Sequence, residues 1–274
     1  MPEISLITAT YGRINEIPRL LDSLIQQTFK DFELIIIDQN EHYEVQKILE
    51  KYKELLNIHY IRSSQKGLSH NRNIGLEKAS GDIFAFPDDD CYYDGNVLEC
   101  VHQAFKDKEL KYLCFDLYDD IDNNFCWKKV DRVSSLKRRR LYYNGNSNNF
   151  FIRANTNRFD ECFGVGAKYG AGEETDYLFQ NIGTKDIGKP CFEAKIYHNS
   201  GTGVHVTYEK YYKYAIGFGA MCKKDFLLRK SIDSIFLFLK YVIRTFAGIL
   251  LKKDKKIYWL GLKGRICGFV IYKS

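Results

Sequence analysis

Hydrophobic positions in the first ninety residues alternate between short runs and helical spacing. Ile4 to Ile7 reads as a strand, and Ile17, Leu20, Leu21, Leu24 and Ile25 then fall on one helical face. Phe32 to Ile37 is a continuous run of the kind buried on both faces, ending at Asp38. Val45, Ile48, Leu49, Tyr52, Leu55 and Leu56 return to helical spacing. Ile58 to Ile61 predicts a third strand, Leu68 to Ala79 a third helix, and Asp82 to Phe86 a fourth strand stopped by Pro87. Four strand-helix steps predict an α/β fold with an open, mostly parallel sheet flanked by helices.

From Asn96 to about His205 the pattern is less regular, with strands predicted at Tyr112 to Leu117, Asn148 to Ile152 and Ala194 to His198. The sheet is expected to continue there with mixed direction. After Val206 the chain is aromatic, basic and free of proline, and predicts two or three helices. The expected organisation is a domain over 1–205, with halves 1–95 and 96–205, and a helical extension over 206–274.

Composition adds two constraints. Hydrophobic residues are 45% and charged residues 28% of 274, with only 4 prolines, which excludes a disordered or collagen-like chain. The net charge of +6 is unevenly spread: residues 208–274 hold 15 basic and 4 acidic residues, and the rest 26 and 31. A basic tail on an acidic body argues against a nucleic-acid-coating protein and for a tail that meets anionic lipid or phosphate. The eight cysteines show no C-x-x-C pair and no zinc-type spacing with histidine, and read as reduced structural thiols. The N-terminus lacks the basic start and apolar middle of a signal peptide, so a cytoplasmic protein is expected.

Open α/β sheets bind ligands beyond the carboxyl ends of their strands, where Thr8 to Arg13, Asp38 to Asn40 and Asp88 to Asp90 would converge. FAFPDDDCYY at 84–93 places three adjacent carboxylates at the end of an apolar strand. They repel one another unless a cation neutralises them, and Mg²⁺ or Mn²⁺ is typically held by one or two carboxylates plus substrate phosphates. The alternative is a solvated acidic turn leading into a helix at Asp94.

SLITATYGR at 5–13, ELIIIDQN at 33–40 and GLSHNRNIGLEKASGDIFAFPDDD at 67–90 occur in the order and spacing of the nucleotide-sugar glycosyltransferases of the GT-A fold. The chain resembles their large inverting family 2, including its bacterial capsule, O-antigen and exopolysaccharide sugar transferases. NNFFIR at 148–153, FDECFGVGAKYGAGEETDYLF at 159–179 and AKIYHNSG at 194–201 are similar to the acceptor half, so the resemblance covers about residues 4–205. It implies that Thr8, Thr10, Tyr11, Arg13 and Asn40 line the nucleotide, that Asp38 accepts a hydrogen bond from the base, and that Arg72 and Asn73 face the diphosphate or donor sugar. Asp88 and Asp90 are then the outer acids of a DxD motif, with Asp90 a metal ligand, Asp88 facing ribose or sugar, and Asp89 assisting. His198 matches a position that completes the metal site, with His205 in reserve.

Sugar transfer also needs a carboxylate to deprotonate the acceptor hydroxyl. By the same resemblance Glu173 holds the family's Glu position and Glu174 that of its catalytic Asp, with Asp176 following. Glu in place of Asp lengthens the arm by one methylene and leaves Glu173 and Asp176 as alternatives, and Gln180 stands where Arg is frequent. Near the C-terminus, IDSIFLFLKYVIRTFAGILLK is apolar but interrupted by Lys240 and Arg244, and Lys252, Lys253, Lys255 and Lys256 follow. That pattern reads as a helix lying on anionic lipid or packed on the domain, not as a span. YEKYYKYAIGFGAMCKK at 208–224 resembles the segment that follows the catalytic domain in transferases using polyprenyl-linked acceptors. Lys137 to Arg140 would meet an acceptor diphosphate or form a solvated loop.

The expectation is therefore a metal-dependent (Mn²⁺ or Mg²⁺), inverting, non-processive glycosyltransferase, peripheral on the inner face of the cell membrane. It would move one sugar from a nucleoside-diphosphate donor, UDP by preference, to a glycan acceptor that is polyprenyl-linked. The alternatives are an inactive membrane-bound scaffold on the same fold and a sugar-1-phosphate nucleotidyltransferase. The latter should open with a glycine-rich phosphate loop, which TATYGR is not, and no G-x-G-x-x-G supports a dehydrogenase.

Overall fold

A computed structural model of the chain describes residues 1–119, 129–198 and 207–273. The elements in chain order begin with β1 Ile4–Thr10, α1 Ile17–Ile25, β2 Phe32–Asp38, α2 Glu44–Leu49, β3 Ile58–Arg62, α3 Leu68–Lys78, β4 Ile83–Ala85 and β5 Cys91–Tyr93. They continue with α4 Val97–Phe105, β6 Leu110–Asp119, α5 Leu141–Asn144, β7 Phe150–Arg153, α6 Glu173–Asn181, β8 Ile187–His198, α7 Tyr208–Arg229, α8 Ile232–Leu251 and α9 Lys255–Ile271. The residues form two compact units. The first comprises Met1–Lys66, His70–Arg158 and Asn181–Thr202, and the second Gly67–Ser69, Phe159–Gln180 and Gly203–Ser274. The expected boundary at 205 and the reserve ligand His205 lie outside the described residues.

The first unit is one eight-stranded sheet in the order β3-β2-β1-β4-β7-β6-β8-β5. β1 pairs in parallel with β2 and β4, and β2 with β3, as the strand-helix repeat predicts. β7 then runs antiparallel to both β4 and β6, which is the expected change of direction. Every residue of β2 is buried, which is why its sequence is a continuous apolar run rather than an alternating one. α1 covers the sheet with Ile17, Leu20, Leu21 and Leu24, the i, i+3, i+4, i+7 face, and Pro18 is tolerated in its first turn. α3 packs so closely that a Cβ on Gly75 would lie 2.3 Å from Ile7 Cγ2, so the glycine there is steric necessity.

The second unit carries most of α6 and the three long helices. Thr207 caps α7 by accepting from Lys210 N, and Asp254 caps α9 by accepting from Ile257 N. α7 and α9 touch backbone to backbone: a Cβ on Gly219 would stand 2.0 Å from Arg265 O, and one on Gly268 2.0 Å from Ile216 O. α8 is turned the other way from a usual surface helix. It buries Ser234, Leu237, Thr245 and Gly248 and exposes Ile232, Phe236, Leu239, Ile243, Phe246 and Leu250, a stripe at alternating spacings of four and three. By length and composition it could cross a bilayer, with an 18-residue window of mean hydropathy 1.8.

Candidate active site

β4 ends at Ala85, and Pro87 removes a ladder donor just where the chain must leave the sheet, so Asp88, Asp89 and Asp90 emerge at a strand end before β5. Each acid has a different set of partners. Asp88 accepts from Arg72 NH2 at 3.0 Å and from Asn148 Nδ2 at 2.8 Å, while its own N–H donates to Asn148 Oδ1 at 2.6 Å. Asp89 accepts from Thr10 Oγ1 at 2.6 Å and Arg13 NH1 at 3.0 Å. Asp90 is ion-paired with Arg13 and lies 3.2 Å from His198 Nε2, which is also 3.8 Å from Asp88 Oδ2.

Antiparallel pairing of β5 and β8 sets Cys91 opposite His198, and this brings the imidazole back to the acids from more than one hundred residues away. One ligand atom from each of Asp88, Asp90 and His198 lies within 4.8 Å of the other two. Two carboxylates and an imidazole suit a hard-to-borderline divalent cation such as Mg²⁺ or Mn²⁺. The electrostatics separate the acids. Burial pushes Asp89 up to about 6 despite the Thr10 hydrogen bond and the Arg13 charge. Burial acts in the same sense on Asp90, but His198 and Arg13 outweigh it and hold that carboxyl below its ordinary value.

The remaining expected nucleotide residues fall into two groups. Thr10, Arg13 and Arg72 touch the acidic triplet, and Thr8 lies buried on the same strand with its hydroxyl unpartnered. Tyr11 is exposed, its hydroxyl accepting from Lys66 Nζ at 2.8 Å. Asn73 serves through its backbone, accepting from Arg158 NH1 at 2.9 Å. Asp38 ends β2 and has partners of its own. It is wholly buried, with Oδ1 taken by Asn40 N and Nδ2 at 2.9 and 2.7 Å and Oδ2 by Tyr60 OH at 2.7 Å. Asp38 thereby stiffens the loop in which Asn40 Oδ1 accepts from Gly12 N. Of the basic run, Arg138 is buried and Arg140 lies 3.6 Å from Asp131, so it is not a uniformly solvated patch.

In the second unit, α6 presents Glu173, Glu174 and Asp176 in its first turn, where the helix dipole favours negative charge. Their environments differ sharply. Asp176 is 0% exposed and accepts from Lys224 Nζ at 2.6 Å and Arg229 NH2 at 2.9 Å. Glu173 is buried beside Gly164, whose φ of +102° favours glycine and where a Cβ would come within 3.3 Å of Glu173 Cδ. Glu174 is partly exposed. Sequence reasoning missed Asn148, although NNFFIR was in view, and missed Lys224 and Arg229, for which no local signal exists.

The family model described as Glycosyl transferase family 2 matches residues 5–166. A β-1,3-glucosyltransferase of Campylobacter jejuni, which acts on GalNAc(5)-diNAcBac-PP-undecaprenol, is 32% identical over 97 residues, covering 33% of this chain and 30% of that protein. The poly(ribitol-phosphate) β-N-acetylglucosaminyltransferase TarS of Staphylococcus aureus is 31% identical over 103 residues, covering 36% of this chain and 18% of TarS. The aligned segments thus span less than a third of either relative. In structure, S. aureus TarS 1–349 in complex with UDP-GlcNAc superposes with TM-score 0.69 at 16% identity, over 97% of this chain and 81% of that one. A mannosyltransferase of Pyrobaculum calidifontis in complex with GDP-Man and Mn²⁺ superposes with TM-score 0.63 at 12% identity, over 98% and 86%. These likenesses establish the GT-A fold: a mixed sheet flanked by helices, followed by a C-terminal helical region.

Proposed function

This chain belongs to glycosyl transferase family 2, and from that premise we propose that it moves a single sugar from a nucleoside-diphosphate donor to a hydroxyl of a lipid-linked glycan, with inversion. The observation that carries the reading is the convergence of Asp88, Asp90 and His198 beside Arg13 and Thr10 at the strand ends. A divalent cation held by Asp88, Asp90 and His198 would neutralise the charge that develops on the departing diphosphate. Arg72 and Asn148 hold Asp88, and Thr10 and Arg13 hold Asp89, so the acidic loop is set before substrate arrives. Glu174 takes the proton of the acceptor hydroxyl as its oxygen attacks the anomeric carbon. The bond from that carbon to the diphosphate oxygen breaks on the opposite face, giving inversion in one displacement. UDP is the favoured carrier, supported by UDP-GlcNAc in the TarS neighbour.

The test is thermal stabilisation of the whole chain by UDP, GDP, dTDP and CMP, each with and without Mn²⁺. One nucleoside diphosphate should shift melting only when Mn²⁺ is present, by about 2.7 kcal/mol at a hundredfold excess over its dissociation constant. Equal shifts without Mn²⁺ would argue against the metal.

The acceptor is proposed to be polyprenyl-linked and met at the inner face of the membrane. The support is α8: its outward stripe is apolar, Lys240 and Arg244 lie along one flank, and Lys252, Lys253, Lys255 and Lys256 follow it. Charges on that flank fit a helix lying in the interface better than one spanning it. Basic residues at an anionic surface contribute about 1 kcal/mol each and lose it with salt. Phe236→Glu with Ile243→Glu, both at exposed positions, should abolish sedimentation with phosphatidylglycerol vesicles while leaving melting unchanged. Undiminished binding would remove α8 as the lipid-facing element.

A further inference from the structure

A second cluster lies elsewhere on the first unit. Cys100, in α4, meets Cys191 and Glu193, in β8, so that the two sulfurs and one carboxylate oxygen all lie within 4.8 Å of one another. Cys191 and Glu193 lie where β8 shifts register against β6, from Phe115 opposite Cys191 to Leu117 opposite Ile196, and this irregular stretch brings both to Cys100. Asn96 ties the two elements, donating from Nδ2 to Glu193 O at 3.2 Å and lying 3.9 Å from Cys100 Sγ. Cys191 is buried, Cys100 half-buried and Glu193 exposed, so the cluster has an apolar floor and an open side.

We propose that Cys100, Cys191 and Glu193 form a site for a soft divalent cation of the Zn²⁺ class, with solvent as fourth ligand. Tetrahedral ligands about 2.0–2.3 Å from Zn²⁺ stand roughly 3.3–3.8 Å apart, so closing the cluster needs only a small contraction. Two sulfurs select Zn²⁺, Co²⁺ or Cd²⁺ over Mg²⁺, whereas the Asp88, Asp90 and His198 set has no sulfur; the two sites are separable by metal chemistry. Binding converts two thiols and one carboxylate into two metal-sulfur bonds and one metal-oxygen bond, releases two protons, and transfers no electrons. The bound ion would clip α4 to β8, the strand whose last residue is His198.

Reduced full-length protein titrated with Co²⁺ in excess Mg²⁺ should develop one equivalent of a near-ultraviolet thiolate-to-cobalt band, and Zn²⁺ should displace it. Cys100→Ser should abolish the band, Asp90→Ala should leave it unchanged, and Glu193→Gln should weaken affinity without loss of the band. If Cys100→Ser fails to fold, the exposed Glu193 variant and the preference of the parent protein for Zn²⁺ over Mg²⁺ carry the test. Absence of the band in the parent protein, its persistence in folded Cys100→Ser, or unchanged affinity in Glu193→Gln would overturn the proposal, as would conversion of the two thiols to a disulfide in place of metal uptake.

Discussion

Asp90→Ala is expected to abolish the Mn²⁺-dependent stabilisation by nucleotide and to lower sugar transfer by at least roughly 10²–10³-fold, the cost of deleting one preorganised charge-stabilising group. The substitution removes the acid whose pKa is held down by His198 and Arg13, and hence the carboxylate most fully ionised among buried neighbours. It should not unfold the loop. Arg13 keeps Asp89 at 3.0 Å, and Asp88 keeps both Arg72 and Asn148, so the frame around the missing ligand remains satisfied. Initial rates with purified donor and acceptor, read beside melting temperature, check this directly. Turnover within tenfold of the parent would move the metal away from Asp90. A cellular phenotype that survives Asp90→Ala but is lost with α8 would instead favour the scaffold alternative.

The parallel half of the fold was legible because each strand there is a local pattern: β1, β2 and β3 announce themselves within seven residues or fewer, and the helices between them show one apolar face. The other half was harder to read for a physical reason. β5 is three residues long, and β8 pairs with β6 in parallel and with β5 antiparallel, with register shifts that break any simple alternation. The acidic triplet was legible from its charge at a strand end, whereas His198 and the acidic turn of α6 drew attention through motifs with family spacing. Partners contributed by distant elements carry no such mark. Tyr60 donates to Asp38 from the neighbouring strand, Asn148 locks Asp88 from 60 residues away, and Cys100 meets Cys191 with no short spacing to suggest it. The tail could be read for apolarity and charge, but which face of α8 stays outside depends on α7 and α9, whose Phe218 and Phe269 take up Tyr241 and Phe238 of α8.

Glu174→Gln should lower kcat by about 10²–10⁴-fold, the range for a general base, while leaving nucleotide binding and melting temperature intact. The choice among the three acids of α6 turns on what each oxygen already does. Asp176 is spoken for: Lys224, which also pairs with Asp160 at 2.7 Å, and Arg229, which also pairs with Asp225 at 3.2 Å, converge on its two oxygens. Both oxygens of this buried carboxylate are engaged, which keeps it from an acceptor hydroxyl. Its removal should therefore have the opposite signature. Asp176→Ala should destabilise the protein by about 3 kcal/mol, the lower end for a broken buried pair because Asp160 and Asp225 leave each cation one partner. Glu173, packed beside Gly164, has little room to approach a sugar hydroxyl. Glu174 alone combines the family position with solvent access, and the extra methylene lets its carboxylate reach further from the helix than Asp would. Parallel kinetics and thermal melts of Glu173→Gln, Glu174→Gln and Asp176→Ala separate the roles. If Glu174→Gln turns over within tenfold of the parent and Glu173→Gln does not, the base is Glu173, and the turn at Gly164 must open for the acceptor to reach it.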